Sequence, residues 1–198
     1  MSFERITRHG DVDPAGVELL GSRLTVRPIV VVDADPGWPA AFDELAVRIR
    51  RALGERVLDL EHVGSTSVPE LPAKPIIDID LTVADAADEP AYVPALERAG
   101  FALEVREPGW HEHRVMVATS PPANVHVWGP DSPEAIRHRM FRDWLREHAD
   151  DRDRYAEAKR EAAEASTAEG EGVMAYNLRK QPVVREILDR MFRAHGML

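Results

Sequence analysis

The apolar pattern of this chain changes character at Ser132. Between residues 56 and 128, apolar residues come in short alternating or β-branched runs divided by turn formers. From Ser132 onward they recur at helical spacing. Strands first and helices last predict an α+β, or mixed α/β, domain. The 198 residues suit one domain with an appendage.

Helix starts and stops divide the rest. Pro36-Gly37-Trp38-Pro39 delivers a helix start, Phe42, Leu45, Ile49 and Leu53 share one helical face, and Gly54 is its stop. Strands are predicted at residues 56–63, 75–83, 101–106, 114–118 and 124–128, with an edge strand or extended segment at 25–32 broken by Pro28. A helix is predicted over 89–99. Ser132-Pro133-Glu134 reads as an N-cap with proline and an acid in the first turn. The charged stretch 148–171 reads as a solvated helix face, and the last helix, 174–195, places Val183, Ile187, Leu188 and Met191 on one side. Residues 1–24 form an N-terminal extension, either a docked helix or a loose arm.

Composition removes several functions. With no cysteine, a disulfide scaffold, a thiolate metal site and a cysteine nucleophile are excluded, and a reducing cytoplasm is the expected setting. Lys+Arg 25 against Asp+Glu 35 gives a net charge of −10, which argues against extended nucleic acid but leaves room for a small nucleotide in a local basic pocket. No apolar run approaches the roughly 20 residues a bilayer crossing needs, so no membrane partner is expected. Walker, Rossmann, Gly-x-Ser-x-Gly and His-Glu-x-x-His patterns are all missing.

One spacing stands out. Gly64-Ser65-Thr66-Ser67 is followed, after a dozen residues, by Asp78-Ile79-Asp80. Side chains alternate along a strand, so Asp78 and Asp80 share a face, roughly 7 Å apart, while Ile77, Ile79 and Leu81 point into the core. Two such carboxylates can reach one divalent ion, and magnesium takes one or two carboxylates plus phosphate oxygens. Gly64 would let the backbone approach a phosphate, and the amides of a following short helix would favour an anion. Alone, the Ile-Asp-Ile-Asp alternation is what any half-exposed strand shows; the Gly-Ser loop at this distance is what shifts the reading toward a site.

Gly-Ser, about twelve residues and Asp-x-Asp resembles the core motif of the nucleotidyltransferase superfamily related to DNA polymerase β. More narrowly, the block from Glu61-His62-Val63-Gly64-Ser65 through Val68-Pro69 and Pro75-Ile76-Ile77-Asp78-Ile79 is similar to the centre of the GrpB family. So are Trp38-Pro39 with Phe42, Met140-Phe141-Arg142-Asp143-Trp144-Leu145-Arg146, and the pairs Tyr155/Lys159 and Tyr176/Lys180. The resemblance spans residues 25–195. It implies a nucleotidyltransferase fold, a small mixed sheet with a helical C-terminal part closing over the site. It further implies magnesium or manganese on the Asp pair and a nucleoside triphosphate or other small nucleotide as ligand. Members of the family also occur joined to dephospho-CoA kinase, which points toward coenzyme A metabolism and a partner enzyme there.

The departures carry weight. The superfamily's third carboxylate is expected on the 124–128 strand, where Asn124, His126 and Trp128 share a face instead. The family usually has His-x-His there, and Glu70 stands where it usually has glycine. His126 would then serve as metal ligand or base beside Asp78 and Asp80, and the adjacent His111-Glu112-His113 could join it around manganese or zinc. Lys74 and Arg114 would face phosphate oxygens. Tyr155/Lys159 and Tyr176/Lys180 each stack at i, i+4 and would contact base or phosphate from the helical side. Arg142 and Arg146 either do likewise or lace helices together. The reading is metal-dependent transfer of a nucleotidyl group to an acceptor. The alternative is a nucleotide- or CoA-related binding module that kept the fold and lost the chemistry.

Overall fold

A computed structural model describes residues 3–10, 14–21 and 29–198. The 25–32 segment therefore lies partly outside the described residues; of its remainder, Val32 makes an isolated antiparallel bridge with Ala73. Helix α1 (Phe3–Thr7) and the two-residue strand β1 (Glu18–Leu19) come from the N-terminal extension. Then follow α2 (Trp38–Leu53), β2 (Asp59–Val63), β3 (Ile77–Thr82), α3 (Glu89–Arg98), β4 (Phe101–Glu107), β5 (His113–Thr119), β6 (Pro122–Trp128), α4 (Pro133–Glu147), α5 (Ala149–Ala168) and α6 (Val173–Ala194). The sheet order is β1-β4-β5-β6-β3-β2, with β3 parallel to β6 and every other pair antiparallel. This mixed α/β architecture is consistent with the nucleotidyltransferase-like fold.

The sheet's two faces have different duties. Ile77, Ile79 and Leu81 of β3 and Val125 and Val127 of β6 bury against Leu45, Ile49 and Leu53 of α2 and Leu96 of α3. Each such aliphatic chain is worth about 1.5–3 kcal/mol on burial. Alternation sends Asp78, Asp80, Asn124, His126 and Trp128 to the opposite face, because Asp78 pairs with Asn124 and Asp80 with His126 in the β3–β6 ladder. Helices α4 to α6 belong to that second face.

Helix α2 starts where expected: the Gly37 amide donates to Asp35 Oδ1 at 2.7 Å, and Pro39 lies in the first turn. Helix α5 differs from the expectation of a solvated face. Tyr155, Ala156, Lys159, Ala162, Ala163 and Ser166 are buried, and this side consists largely of small residues that a hydrophobicity count passes over. The N-terminal extension is docked where it is described. Ile6 packs with Leu188, Met191 and Phe192, and the Arg137 guanidinium donates to the carbonyls of Ile6 and Arg8.

Candidate functional site

The Gly64 turn and Asp78 are one unit. Val63 pairs with Asp78 across β2 and β3, so the residue after Val63 must turn away directly beside that carboxylate. Gly64 has φ +66° and ψ −170°, a region that is essentially glycine's alone. A Cβ there would lie 2.4 Å from Asp78 Oδ2. Asn124 Nδ2 donates to Asp78 Oδ1 at 3.0 Å, and His126 Nε2 stands 4.0 Å from the same oxygen. Burial alone would raise the Asp78 pKa. His126, Asn124 and Lys74 outweigh it and hold the carboxyl below its usual range.

Asp80 is engaged by other protein groups. It is 3% exposed, and Trp128 Nε1 donates to its Oδ1 at 2.9 Å. His138 Nδ1, from α4, lies 3.1 and 3.0 Å from its two oxygens. Burial disfavours a charged imidazole at His138, but Asp80, with help from Glu134 and Asp78, lifts its pKa to about 9. An imidazolium therefore sits where the sequence argument puts a divalent ion. Among the described residues no group of three His, Asp or Glu side chains has metal-ligand spacing. As placed, Asp78, Asp80 and His126 do not fit a shared ion; among the described residues Asp78 is the one carboxylate lining the cleft.

Behind His126 stands a line of polar groups. His113 Nε2 is 3.0 Å from His126 Nδ1, and His113 Nδ1 is 2.6 Å from Glu107 Oε2. Trp128 stacks on His113 with ring centroids 4.1 Å apart. Of the His111-Glu112-His113 cluster only His113 joins His126; His111 and Glu112 are exposed in a turn at positive φ.

Over the Asp78 face the helical part leaves a cavity of about 530 Å³. Gly64, Ser65, Thr66, Lys74, Asp78 and His126 line it from the sheet side, and Tyr155, Lys159, Tyr176 and Lys180 from α5 and α6. The three lysines alternate with the two tyrosine rings. Lys74 Nζ is 5.2 Å from the Tyr176 centroid, Lys180 Nζ is 4.8 Å from the same ring, and Lys159 Nζ is 4.7 Å from that of Tyr155. Lys159 is 1% exposed and donates to the Pro72 carbonyl. Burial, then Lys180, pushes Lys159 down to about 6, and the same two causes lower Lys74. Cations crowded this closely favour an anion among them.

Of the other expected residues, Arg114, Ser67 and Arg146 stay out of this lining, whereas Arg142 borders it. Arg114 lies on the core face, because its ladder partner is Val127. Its Nε donates to Glu89 Oε1 at 2.7 Å, and it does not reach the cleft. The β5–β6 register puts Val115 opposite His126 and Val117 opposite Asn124, so the site face of β5 carries His113, Val115 and Val117, and alternation turns Arg114 to the other face. Ser67 turns inward and donates its hydroxyl to the Gly64 carbonyl at 2.6 Å. Arg142 donates to Glu61 Oε2 and the His62 carbonyl, and Arg146 to the Ser67 carbonyl. These two arginines tie α4 to the Gly64 loop. Thr66 Oγ1 meets His62 Nε2 at 3.0 Å.

The family described as GrpB protein matches residues 28–190. The chain belongs to the GrpB family. Its similarity extends to a UPF0157 protein of Halalkalibacterium halodurans, 49% identical over 162 residues, covering 82% of each chain. It is also similar to a dephospho-CoA kinase of Mycolicibacterium paratuberculosis, 32% identical over 199 residues; there the match covers 86% of this chain but 48% of the kinase. Among solved structures, the conserved protein GrpB from Enterococcus faecalis superposes with a TM-score of 0.69 at 28% identity, over 82% of this chain and 99% of that one.

Within this GrpB domain the sequence reading missed Glu107 and His138. Glu107 closes β4 next to a Pro-Gly turn, and only the β4–β5 register reveals that it faces His113. His138 lies among charged residues of α4 and carries no motif. Its helical position, one turn after Glu134 on the buried side of α4, is the only signal that could have flagged it.

Proposed function

We propose that this GrpB protein binds a phosphate-bearing nucleotide, a nucleoside triphosphate or a CoA-type nucleotide, between its sheet and helical halves. The observation that carries the reading is the convergence of Lys74, Lys159 and Lys180 on one cavity, in a protein whose net charge is −10. Burial and the neighbouring Lys180 disfavour a positive charge on Lys159, and Lys74 and Lys180 stand half-buried beside it, so an anion among the three would relieve their repulsion; Tyr155 and Tyr176 offer faces for a base or for the cations themselves. The dephospho-CoA kinase relative supports the CoA-type ligand by its name. In this reading Gly64 and Ser65 border the ligand, Asn124 holds Asp78, and the His138–Asp80 pair fixes α4 against the sheet.

Nucleotidyl transfer assisted by magnesium or manganese is the second reading. It is favoured by Asp78, whose carboxyl is held in its ionised range beside the Gly64 turn. Such a metal would add Lewis-acid stabilisation of phosphate charge, with Asp78 as its protein ligand.

Thermal unfolding with adenosine triphosphate, CoA and tripolyphosphate, each with and without magnesium, tests both. A ligand at 100 times its Kd adds about 2.7 kcal/mol. The expected result is stabilisation without metal that disappears in Lys159→Met and Lys180→Met. Stabilisation that requires magnesium and is lost in Asp78→Asn moves the conclusion to the second reading. No shift with any of the three sinks the nucleotide site.

A further inference from the structure

Glu107, His113 and His126 come from three strands, β4, β5 and β6, and form a hydrogen-bonded line ending in the cleft. The direction of its protons follows from what each group can donate. A carboxylate only accepts, so the 2.6 Å contact with Glu107 places the proton of His113 on Nδ1. His113 is 3% exposed, stacked on the Trp128 ring and lying edge to edge with His126. Burial first, then the neighbouring imidazoles, hold it far below the usual imidazole range, so it is neutral. A neutral imidazole protonated at Nδ1 presents a lone pair at Nε2. The 3.0 Å contact with His126 then needs a donor on the other side, and His126 Nδ1 must supply it. In its neutral form His126 then keeps its lone pair on Nε2, facing the cavity 4.0 Å from Asp78 Oδ1, too far for a direct hydrogen bond.

We propose that Glu107 and His113 are positioning residues that lock His126 with its proton on Nδ1, so that His126 Nε2 and Asp78 together accept from an O–H or N–H group of the bound nucleotide. This deepens the nucleotide reading and rests on it for the ligand. The Lys74, Lys159 and Lys180 cluster would hold the anionic part, whereas two acceptors side by side suit a hydroxyl or amino group and reject a bare phosphate oxygen. A ligand bearing both features is the class the cleft selects.

The unliganded, nitrogen-15-labelled full chain gives the first readout, by imidazole proton–nitrogen correlation at a pH above the usual imidazole range. His126→Gln identifies the signals. The expected spectrum has a pyrrole-type Nδ1 and a pyridine-type Nε2 at His126, and in His113→Phe the proton moves to Nε2. A proton on His126 Nε2 in the wild type overturns the proposal: alone, it means that His113 donates to His126 and the line runs the other way, and in an imidazolium it makes Nε2 a donor. The second readout adds adenosine triphosphate or CoA, whichever stabilises the fold. Binding should move the His126 Nε2 signal, and tripolyphosphate should bind without moving it. Nucleotide binding that leaves Nε2 unmoved overturns the ligand contact. If no nucleotide binds, the nucleotide reading falls and the donor with it, while the tautomer is decided by the unliganded spectrum.

Discussion

At Gly64 two constraints coincide, a backbone conformation closed to other residues and a carboxylate where a side chain would begin. Gly64→Ala should therefore destabilise the fold by about 2 kcal/mol or more, read as a lower denaturant midpoint, and should weaken nucleotide binding by displacing Asp78. Glu70 presents the opposite case. It adopts φ +64°, and its exposed carboxylate meets Arg152 at 3.0 Å. Left-handed backbone costs a side-chain-bearing residue about 1–2 kcal/mol, and an exposed ion pair returns little. Glu70→Gly should stabilise by up to about 1 kcal/mol after glycine's own entropy cost, measured by urea unfolding. Both positions were legible in the sequence, Gly64 from its motif and Glu70 as a departure from the family's glycine. The positive φ gives that departure its physical meaning. His138 was not legible, since nothing local marks a histidine whose partner is 58 residues away.

Among the elements, the strands were easier to read than the roles of their polar residues. Alternation placed Ile77, Ile79 and Leu81 in the core and put Asp78 and Asp80 on one face. It could not tell which face of β5 joins them, and so Arg114 was sent to the wrong side. Register is a tertiary property, fixed here by the β5–β6 and β4–β5 pairings. Helix α4 is joined to β3 by the His138–Asp80 pair, and its pH dependence has a definite sign. The folded pKa of about 9 lies above the ordinary imidazole value of 6.5, so the stabilisation is complete below the unfolded value and fades as pH rises through 9. The stability gap between wild type and His138→Gln should be constant from about pH 5 to 6.5 and shrink steadily toward pH 9–10. A gap that widens on the alkaline side would contradict the pairing. Further acid loss belongs to His62, held neutral down to about 4 chiefly by burial; between 6.5 and 4 the unfolded chain takes up the extra proton, so stability falls with pH there.

The whole molecule consists of a sheet half and a helical half joined through the segment after Gly64. Val68 and Leu71 insert into the helical cluster of Leu145, Tyr155 and Ile187. Arg142, Arg146, Lys159 and His138 add polar ties from the helices to the strands and loops of the other half. Two halves bound this way should unfold together. Trp38 in the sheet core and Trp144 in the helical cluster, each left as the sole tryptophan in a variant, should report coincident denaturant transitions; separated midpoints would show independent halves. The acidic composition argues against a broad basic surface, yet it hides the lysines gathered in the cleft. Net charge sums over the surface, whereas ligand recognition depends on the few charges that share a cavity.

The two-residue strand β1 gives the sheet one further property. It lies along β4 through Glu18 and Leu19, opposite Arg106 and Val105, and the Leu20 amide continues the contact to the Glu104 carbonyl. Without it, β4 would be a seven-residue border with unpaired backbone groups along one side, the kind of template on which a second chain can add a strand. β1 thus covers the stretch Glu104–Arg106 of that border, the kind of cover by which natural sheets keep an edge strand from pairing with another chain.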